Sequence, residues 1–114
     1  MHYDKGNELA LLKKDEEAIQ SYDQSILIEP DYIFTHYNKG LALDRLGRDE
    51  EAIISYDKAI HIDPNYLFAH YNKGLALARL EKDEDAILSF DKAIQINPEY
   101  AFAHYSKGLS LIHI

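Results

Sequence analysis

The sequence predicts an all-α solenoid, in which short helices recur along the chain and stack on one another. The first observation is a period of 34 residues: positions 33–66 and 67–100 align without a gap and are identical at 23 of 34 places. The second is that each unit contains two amphipathic segments with apolar residues three and four apart. A unit of this length cannot bury its apolar face alone, so neighbouring units must complete the core.

The period divides a single domain, residues 1–114, into three units and a half. The first unit, 1–32, lacks the first two positions of the repeat, and it is followed by 33–66 and 67–100. Residues 101–114 match only the first helix of a fourth unit. Two helices in each unit and one in the half unit predict seven helices.

The third unit shows where the helices of a unit begin and end. Its first helix is predicted over about 68–80, a run of good helix formers. Asp83 is predicted to cap the second helix, because acidic groups are favoured at the positive end of the helix dipole. Pro98 stops that helix. The equivalent acids Asp15 and Asp49 are interpreted as caps rather than as metal ligands.

The pattern of small, aromatic and proline residues resembles the tetratricopeptide repeat, a helix-turn-helix unit of the same length. In the third unit the matching residues are Gly74, Ala86, Phe90, Ala93 and Pro98. The family's early tryptophan is replaced by His36, His70 or His104, and its interhelix aromatic by an aspartate. The resemblance covers the whole chain and implies a right-handed superhelix of antiparallel helix pairs.

Composition excludes several classes of function. Twelve basic and 20 acidic residues give a net charge of −8, which would repel a phosphate backbone, so nucleic acid is not expected as a partner. Without cysteine there is no disulfide framework, thiolate zinc site or cysteine nucleophile. No apolar run approaches the ~20 residues that span a bilayer, and the N-terminus lacks a secretory signal pattern. We therefore expect a cytoplasmic protein with no membrane partner.

No catalytic constellation is present. The sequence contains no glycine-rich phosphate loop, and its serines lie on predicted helices rather than on the strand-to-helix turn of a hydrolase. We therefore predict that the chain is not an enzyme and needs no cofactor.

A column of histidines at His2, His36, His70 and His104 raises the question of a metal site. Equivalent residues on successive helices lie about 8–10 Å apart, whereas zinc ligands lie within about 2 Å of the ion. We therefore predict no metal, and half-buried histidines satisfied by local hydrogen bonds.

One face of each first helix is left without a packing role. Gly74 lies on a face that permits close approach of the second helix, and Ala76 on a face suited to the neighbouring unit. The third face, by the family resemblance, lines a concave groove. Its predicted peptide-binding residues are Tyr3, Asn7, Phe34, Tyr37, Asn38, Leu41, Arg45, Phe68, Tyr71, Asn72, Leu75, Arg79, Phe102 and Tyr105.

This groove predicts a scaffold or adaptor that binds an extended segment or a helix of a partner protein. Aromatic and arginine side chains are enriched in binding hot spots, and Asn38 and Asn72 are suited to hydrogen bonds with a peptide backbone. The alternative is structural: the aromatic columns pack against one another between units.

A sharper family function is the clamp that holds the C-terminal carboxylate of a chaperone. Its basic residues would have to stand at Tyr3, Phe68 and Asn72, none of which is charged, so the charge-assisted bonds to a carboxylate are missing. We predict that this chain is not such a clamp. Arg45 and Arg79 are the cations expected in the groove.

The last helix carries apolar residues that nothing else in the sequence covers: Leu109, Leu111, Ile112 and Ile114. Solenoids normally need a polar cap at each end. We expect this end either to continue in a longer protein or to form a weak homo-oligomer. The second candidate function is therefore an assembly module that self-associates through its ends.

Overall fold

The computed structural model describes Asn7 and residues 14–114. Residues 14–114 form six α-helices and no strand. The helices are α1 (Asp15–Ile28), α2 (Ile33–Arg45), α3 (Asp49–Ile62), α4 (Leu67–Arg79), α5 (Asp83–Ile96) and α6 (Ala101–His113). The all-α prediction is confirmed, but six helices are seen instead of seven. The first predicted helix falls on residues 1–13, of which only Asn7 is described.

Each helix packs mainly against the helices before and after it in the chain. In addition α2 contacts α4 and α4 contacts α6, whereas α1, α3 and α5 do not contact one another. The side formed by α2, α4 and α6 is therefore the narrower, inner side of the stack, and α1, α3 and α5 form its outer side. The resulting body is elongated, 41 × 25 × 19 Å.

Close packing within a unit depends on the glycine of its first helix. A Cβ atom on Gly40 would lie 2.5 Å from Cε1 of Tyr56, and one on Gly74 would lie 2.5 Å from Cε1 of Phe90. Both aromatic rings are fully buried. The predicted approach of the second helix to the glycine face is therefore confirmed for α2 with α3 and for α4 with α5.

The turn between the two helices of a unit contains one residue in the left-handed conformation. In the second unit this residue is Gly47, with φ of 75°, as expected for a glycine that follows a helix. In the third unit Glu81 adopts φ of 61°. The chain therefore turns in the same way without a glycine.

The aspartates predicted to cap the second helices are instead the first helical residues of α1, α3 and α5; they are Asp15, Asp49 and Asp83. The preceding basic residue takes each cap position and makes no side-chain capping bond. Two of the aspartates pair with an arginine of the next unit: Arg45 Nε lies 2.9 Å from Asp15 Oδ1, and Arg79 Nε lies 3.0 Å from Asp49 Oδ1. The capping prediction is wrong, and pairing between units accounts for two of these acids.

The histidines contact the proline that ends the preceding helix. Nε2 of His36 donates to the Pro30 carbonyl at 2.7 Å, and the same bond joins His70 to Pro64 at 2.8 Å. The bond recurs between His104 and the Pro98 carbonyl, 2.7 Å apart. Burial lowers the pKa of His70. Local hydrogen bonding is confirmed for these three histidines, while His2 lies outside the described residues.

Candidate functional site

The predicted groove residues of α2, α4 and α6 are joined by a continuous row of aromatic rings. Each contact in this row is edge to face, with ring centroids 5.5 to 6.1 Å apart. The row, called here the aromatic row, consists of Tyr32, Phe34, Tyr66, Phe68, Tyr100 and Phe102. The tyrosines come from the loops before the first helices, so each of Tyr66 and Tyr100 bridges the phenylalanines of two successive helices.

The phenylalanines of the aromatic row remain accessible. Phe34 is 40% exposed, Phe68 46% and Phe102 64%. Since they follow one another on the inner helices, the row presents a band of apolar surface along that side of the stack.

The groove tyrosines, by contrast, belong partly to the core. Tyr37 is half-buried, with its ring 5.9 Å from Tyr56 and 5.2 Å from Tyr66. Tyr71 lies in the same way between Phe90 and Tyr100. Burial raises the pKa of Tyr37 to about 12. These ring contacts lie within one unit, 33–66 or 67–100, whereas the structural alternative expected the aromatic columns to pack between units.

The amide of Asn72 is engaged inside the stack. Its Nδ2 donates to Tyr37 Oη at 2.8 Å and to the Phe68 carbonyl at 2.9 Å. Tyr71 makes the equivalent contact one unit on, with its hydroxyl 3.3 Å from Ser106 Oγ. Both donor hydrogens of the Asn72 amide therefore have partners within the chain. Asn38, the equivalent residue of α2, is half-buried.

Both predicted groove arginines are paired with carboxylates of the chain. Arg45 binds Asp15, and Arg79 binds Asp49 and, through Nη2, Asp44 Oδ1 at 2.9 Å. Asp44 also accepts a hydrogen bond from the hydroxyl of Tyr56. Burial raises the pKa of Asp44 and that of Tyr56. The sequence analysis missed Asp44. The signal that could have found it is a difference between the units, since the equivalent position in the third unit is Ala78.

The remaining groove residues differ in their surroundings. Leu41 and Leu75 are partly buried against the core, whereas Tyr105 is 69% exposed on α6. Asn7 Oδ1 accepts a hydrogen bond of 2.8 Å from the Tyr22 hydroxyl. Tyr3 lies outside the described residues.

Lysines join successive units across a constant separation of 16 residues. Lys39 Nζ lies 2.7 Å from Asp23 Oδ1, and Lys73 Nζ lies 2.7 Å from Asp57 Oδ1. Lys107 and Asp91 repeat the pair on α6 and α5. These lysines therefore pair with carboxylates of the preceding unit.

A cavity of about 490 Å³ lies on the outer side, between α1 and α3. Its walls include Ile26, Pro30, Ile54 and Ile62, and His36 contributes to its lining. Because α1 and α3 do not touch, the space between them stays open. The groove prediction, which considered only the first helices, gave no sign of it.

Within the part of the chain that the structure describes, no three acidic or histidine side chains cluster as a metal site. Over the same residues, no helix is long and apolar enough to cross a bilayer.

Stacked antiparallel helix pairs with a recurring glycine–aromatic contact define a helical-repeat protein. The family model described as Tetratricopeptide repeat matches residues 33–66 and 68–100, and a second, described as TPR repeat, matches residues 6–47. The chain therefore belongs to the tetratricopeptide repeat family.

Solved tetratricopeptide domains have the same fold. The first such domain of Spaghetti (RPAP3), bound to the HSP90 peptide SRMEEVD, superposes with a TM-score of 0.94 at 22% identity, over 97% of this chain and 88% of that one. The second domain of human RPAP3, in complex with the HSP70 peptide SGPTIEEVD, gives 0.92 at 24%, over 96% and 92%. The Arabidopsis OM64 domain gives 0.94 at 23%, over 99% and 93%. No curated protein sequence matches significantly.

Proposed function

We propose that this chain is a protein-interaction module, a scaffold or adaptor, whose inner surface binds a segment of a partner protein. The observation that carries the proposal is the exposure of Phe34, Phe68 and Phe102 along one side of the stack. A contiguous apolar band of this kind commonly marks an interaction site in a soluble protein, and aromatic side chains are frequent hot spots. The right-handed sense of the superhelix and the cytoplasmic location stay predictions.

The charges of this surface favour a ligand that does not depend on carboxylates. Arg45 and Arg79 are already paired with aspartates of the chain, so an acidic ligand would have to compete with these bonds. The RPAP3 domains bind peptides that end in EEVD. By the family resemblance, Phe68 and Asn72 stand here where such a clamp has basic residues. We therefore propose a ligand with apolar or aromatic side chains spaced along the row.

The best test positions are the exposed phenylalanines, because Tyr37 and Asn72 also hold the units together. A phage-displayed library of random peptides would be selected on the immobilised chain and on the double variant Phe68→Ala/Phe102→Ala. Leu88→Ala is the matched control, since Leu88 is 67% exposed on the outer helix α5.

We expect selected peptides rich in apolar residues that bind the chain and the Leu88→Ala control alike, and bind the double variant at least about tenfold more weakly. Unaltered binding to a correctly folded double variant would refute the proposal. The proposal would also be refuted if the library yielded only acidic peptides, or if an acidic peptide such as SRMEEVD bound the chain with micromolar affinity.

Self-assembly through the solenoid end is the second candidate function, and it is favoured by the exposure of α6. Leu109, Leu111, Ile112 and Ile114 are all exposed there. If assembly is the function, sedimentation should reveal oligomers that Ile112→Asp dissociates and Phe68→Ala leaves intact. A monomer at high micromolar concentration would exclude this candidate.

A further inference from the structure

The loops that precede the inner helices carry negative charge beside the aromatic row. Residues 29–34, 63–68 and 97–102 are EPDYIF, DPNYLF and NPEYAF, so each stretch has a carboxylate next to its proline and none has a lysine or arginine. These carboxylates are exposed, and they form no ion pair with any residue that the structure describes. They are called here the acidic rim, which consists of Glu29, Asp31, Asp63 and Glu99.

The acidic rim and the aromatic row share the same turns. The backbone N–H of Tyr66 donates to the Asp63 carbonyl at 3.1 Å. The N–H of Tyr32 donates to the Glu29 carbonyl at 3.4 Å. Glu29 and Asp31 also line, together with Tyr32, a depression of about 330 Å³. Because Tyr32 is the first ring of the aromatic row, carboxylates and exposed rings form one continuous surface.

Local structure does not require the charges of Glu29 and Asp63. Both are C-cap residues, of α1 and α3, and the macrodipole of a helix disfavours a negative charge at this end. Asp63 Oδ1 accepts a hydrogen bond of 3.0 Å from the N–H of Asn65, but the uncharged Asn97 accepts the same bond from Glu99. The stability of the turns therefore does not account for these two carboxylates, whereas recognition of a cation would.

The arginines of the groove do not neutralise the acidic rim. Arg45 is bonded to Asp15, and Arg79 is shared between Asp44 and Asp49. Since each arginine already has a carboxylate of its own, the groove and the acidic rim together carry a net negative charge. Complementary potentials favour association and exclude partners of the same sign, so this surface favours a ligand with positive charge.

The exposed rings suit the same ligand. Phe34 is 40% exposed and Phe68 is 46% exposed, and both lie within the stack rather than at its end. A lysine or arginine cation within about 6 Å of a ring centroid, over the face of the ring, is attracted by the ring quadrupole. The aliphatic stem of the same side chain covers apolar surface. One basic side chain can therefore contact a ring and a rim carboxylate at once.

We propose that the partner segment bound along the aromatic row is basic, with lysine or arginine residues between its apolar residues. Its cations pair with the acidic rim, and one of them occupies the depression lined by Glu29, Asp31 and Tyr32. The inference rests on the proposed function, because the aromatic row is the same binding surface, and it adds the charge of the ligand.

Phage-displayed random peptides selected on the unaltered chain are the probes. Each selected peptide is synthesised with a fluorescent label in two forms, as selected and with every lysine and arginine replaced by glutamine. Anisotropy measures the binding of both forms to the unaltered chain and to the rim variant Glu29→Gln/Asp63→Asn. The matched control is Glu50→Gln/Asp85→Asn, which removes the same charge from exposed positions of the outer helices α3 and α5.

We expect lysine and arginine to be enriched over aspartate and glutamate in the selected peptides. The rim variant should bind the selected form at least about threefold more weakly than the unaltered chain does, and should bind the glutamine form equally well. The control should bind both forms as the unaltered chain does. Thermal unfolding should show that the rim variant is at least as stable as the unaltered chain, because its changes relieve charge at two helix C-termini.

Two results would overturn this inference and leave the proposed function intact. One is selection of apolar peptides without lysine or arginine, and the other is affinity that the glutamine replacement does not change, while Phe68→Ala/Phe102→Ala still weakens binding in both cases. Equal losses in the rim variant and the control would also overturn it, since they would indicate attraction to the net charge of the chain. If no peptide is selected, or if Phe68→Ala/Phe102→Ala binds unchanged, the proposed function fails and this inference fails with it.

Discussion

At the scale of single residues, the units differ in how they satisfy one buried hydroxyl. The Tyr22 hydroxyl donates to Asn7 and that of Tyr56 to Asp44, while Phe90 has no hydroxyl. Each donor therefore appears together with an acceptor, in agreement with the cost of burying an unpaired polar group.

This pairing predicts a non-additive mutant cycle. Asp44→Ala should lower the free energy of unfolding by about 1–3 kcal/mol, because it leaves the buried Tyr56 hydroxyl unpaired. The double variant Asp44→Ala/Tyr56→Phe reproduces the Ala78–Phe90 pair of the third unit and should recover about 1 kcal/mol or more of that loss. Urea unfolding followed by circular dichroism measures the free energy of unfolding of both single variants, Asp44→Ala and Tyr56→Phe, and of the double variant. If the effect of the double variant equals the sum of the two single effects, the coupling is contradicted.

The phenol of Tyr37 predicts how stability falls in alkali. Its pKa is raised from 10.0 to about 12 in the fold. Because the folded value is the higher one, the contribution of the neutral phenol is fully present below pH 10 and is lost as pH rises towards 12. Tyr37→Phe should flatten this loss in a series of thermal melts between pH 9 and 12. An unchanged slope would mean that Tyr37 is not the group responsible.

At the scale of the helix, the inner glycines provide a matched pair of substitutions. Gly74→Ala places a methyl group against the Phe90 ring and should destabilise the protein by about 1–3 kcal/mol. Gly108→Ala is the same change at the equivalent position, but with open space around it. It should stabilise α6 by about 0.5–1 kcal/mol, since alanine is the better helix former.

Chemical denaturation of the two variants compares them directly. Equal effects of the same sign would show that helix propensity, and not contact with the second helix, governs these positions.

Prediction of individual helices succeeded where the signal is local. The predicted span of about 68–80 differs by one residue at each end from Leu67–Arg79. The caps failed because Asp15, Asp49 and Asp83 lie next to a helix start in either case. The helix bounds show that the basic residue before each aspartate takes the cap position.

At the scale of the whole molecule, each unit depends on its neighbours, and the last pairing between units is the weakest. Asp15 and Asp49 each meet an arginine, but Asp83 faces His113, with Nδ1 of the histidine 3.9 Å from Oδ1 of the aspartate. That oxygen is buried and has no hydrogen-bond partner among the described residues. We infer that α6 is held less firmly than α4, its counterpart in the third unit.

Restoring the arginine should stabilise this end. His113→Arg is expected to add about 0.5–1 kcal/mol to the free energy of local opening, the range for a partly exposed ion pair. Amide hydrogen exchange should show slower exchange in α6 and no change in α2. His113→Arg should not raise the free energy of local opening when Asp83 is also replaced by alanine. If the stabilisation persists in that double variant, it comes from helix propensity and not from the ion pair.

The sequence alone determined the architecture. A 34-residue period, helical spacing of apolar residues and a glycine and an aromatic at fixed places in each unit all follow from the order of residues along the chain, and they are enough to specify helix pairs that stack. Which groove side chains face a ligand was decided only by tertiary structure. Tyr37, Asn72 and Arg79 find partners 30 to 35 residues away, and whether a polar group pairs within the fold depends on distances of a few tenths of an ångström that no repeat pattern encodes.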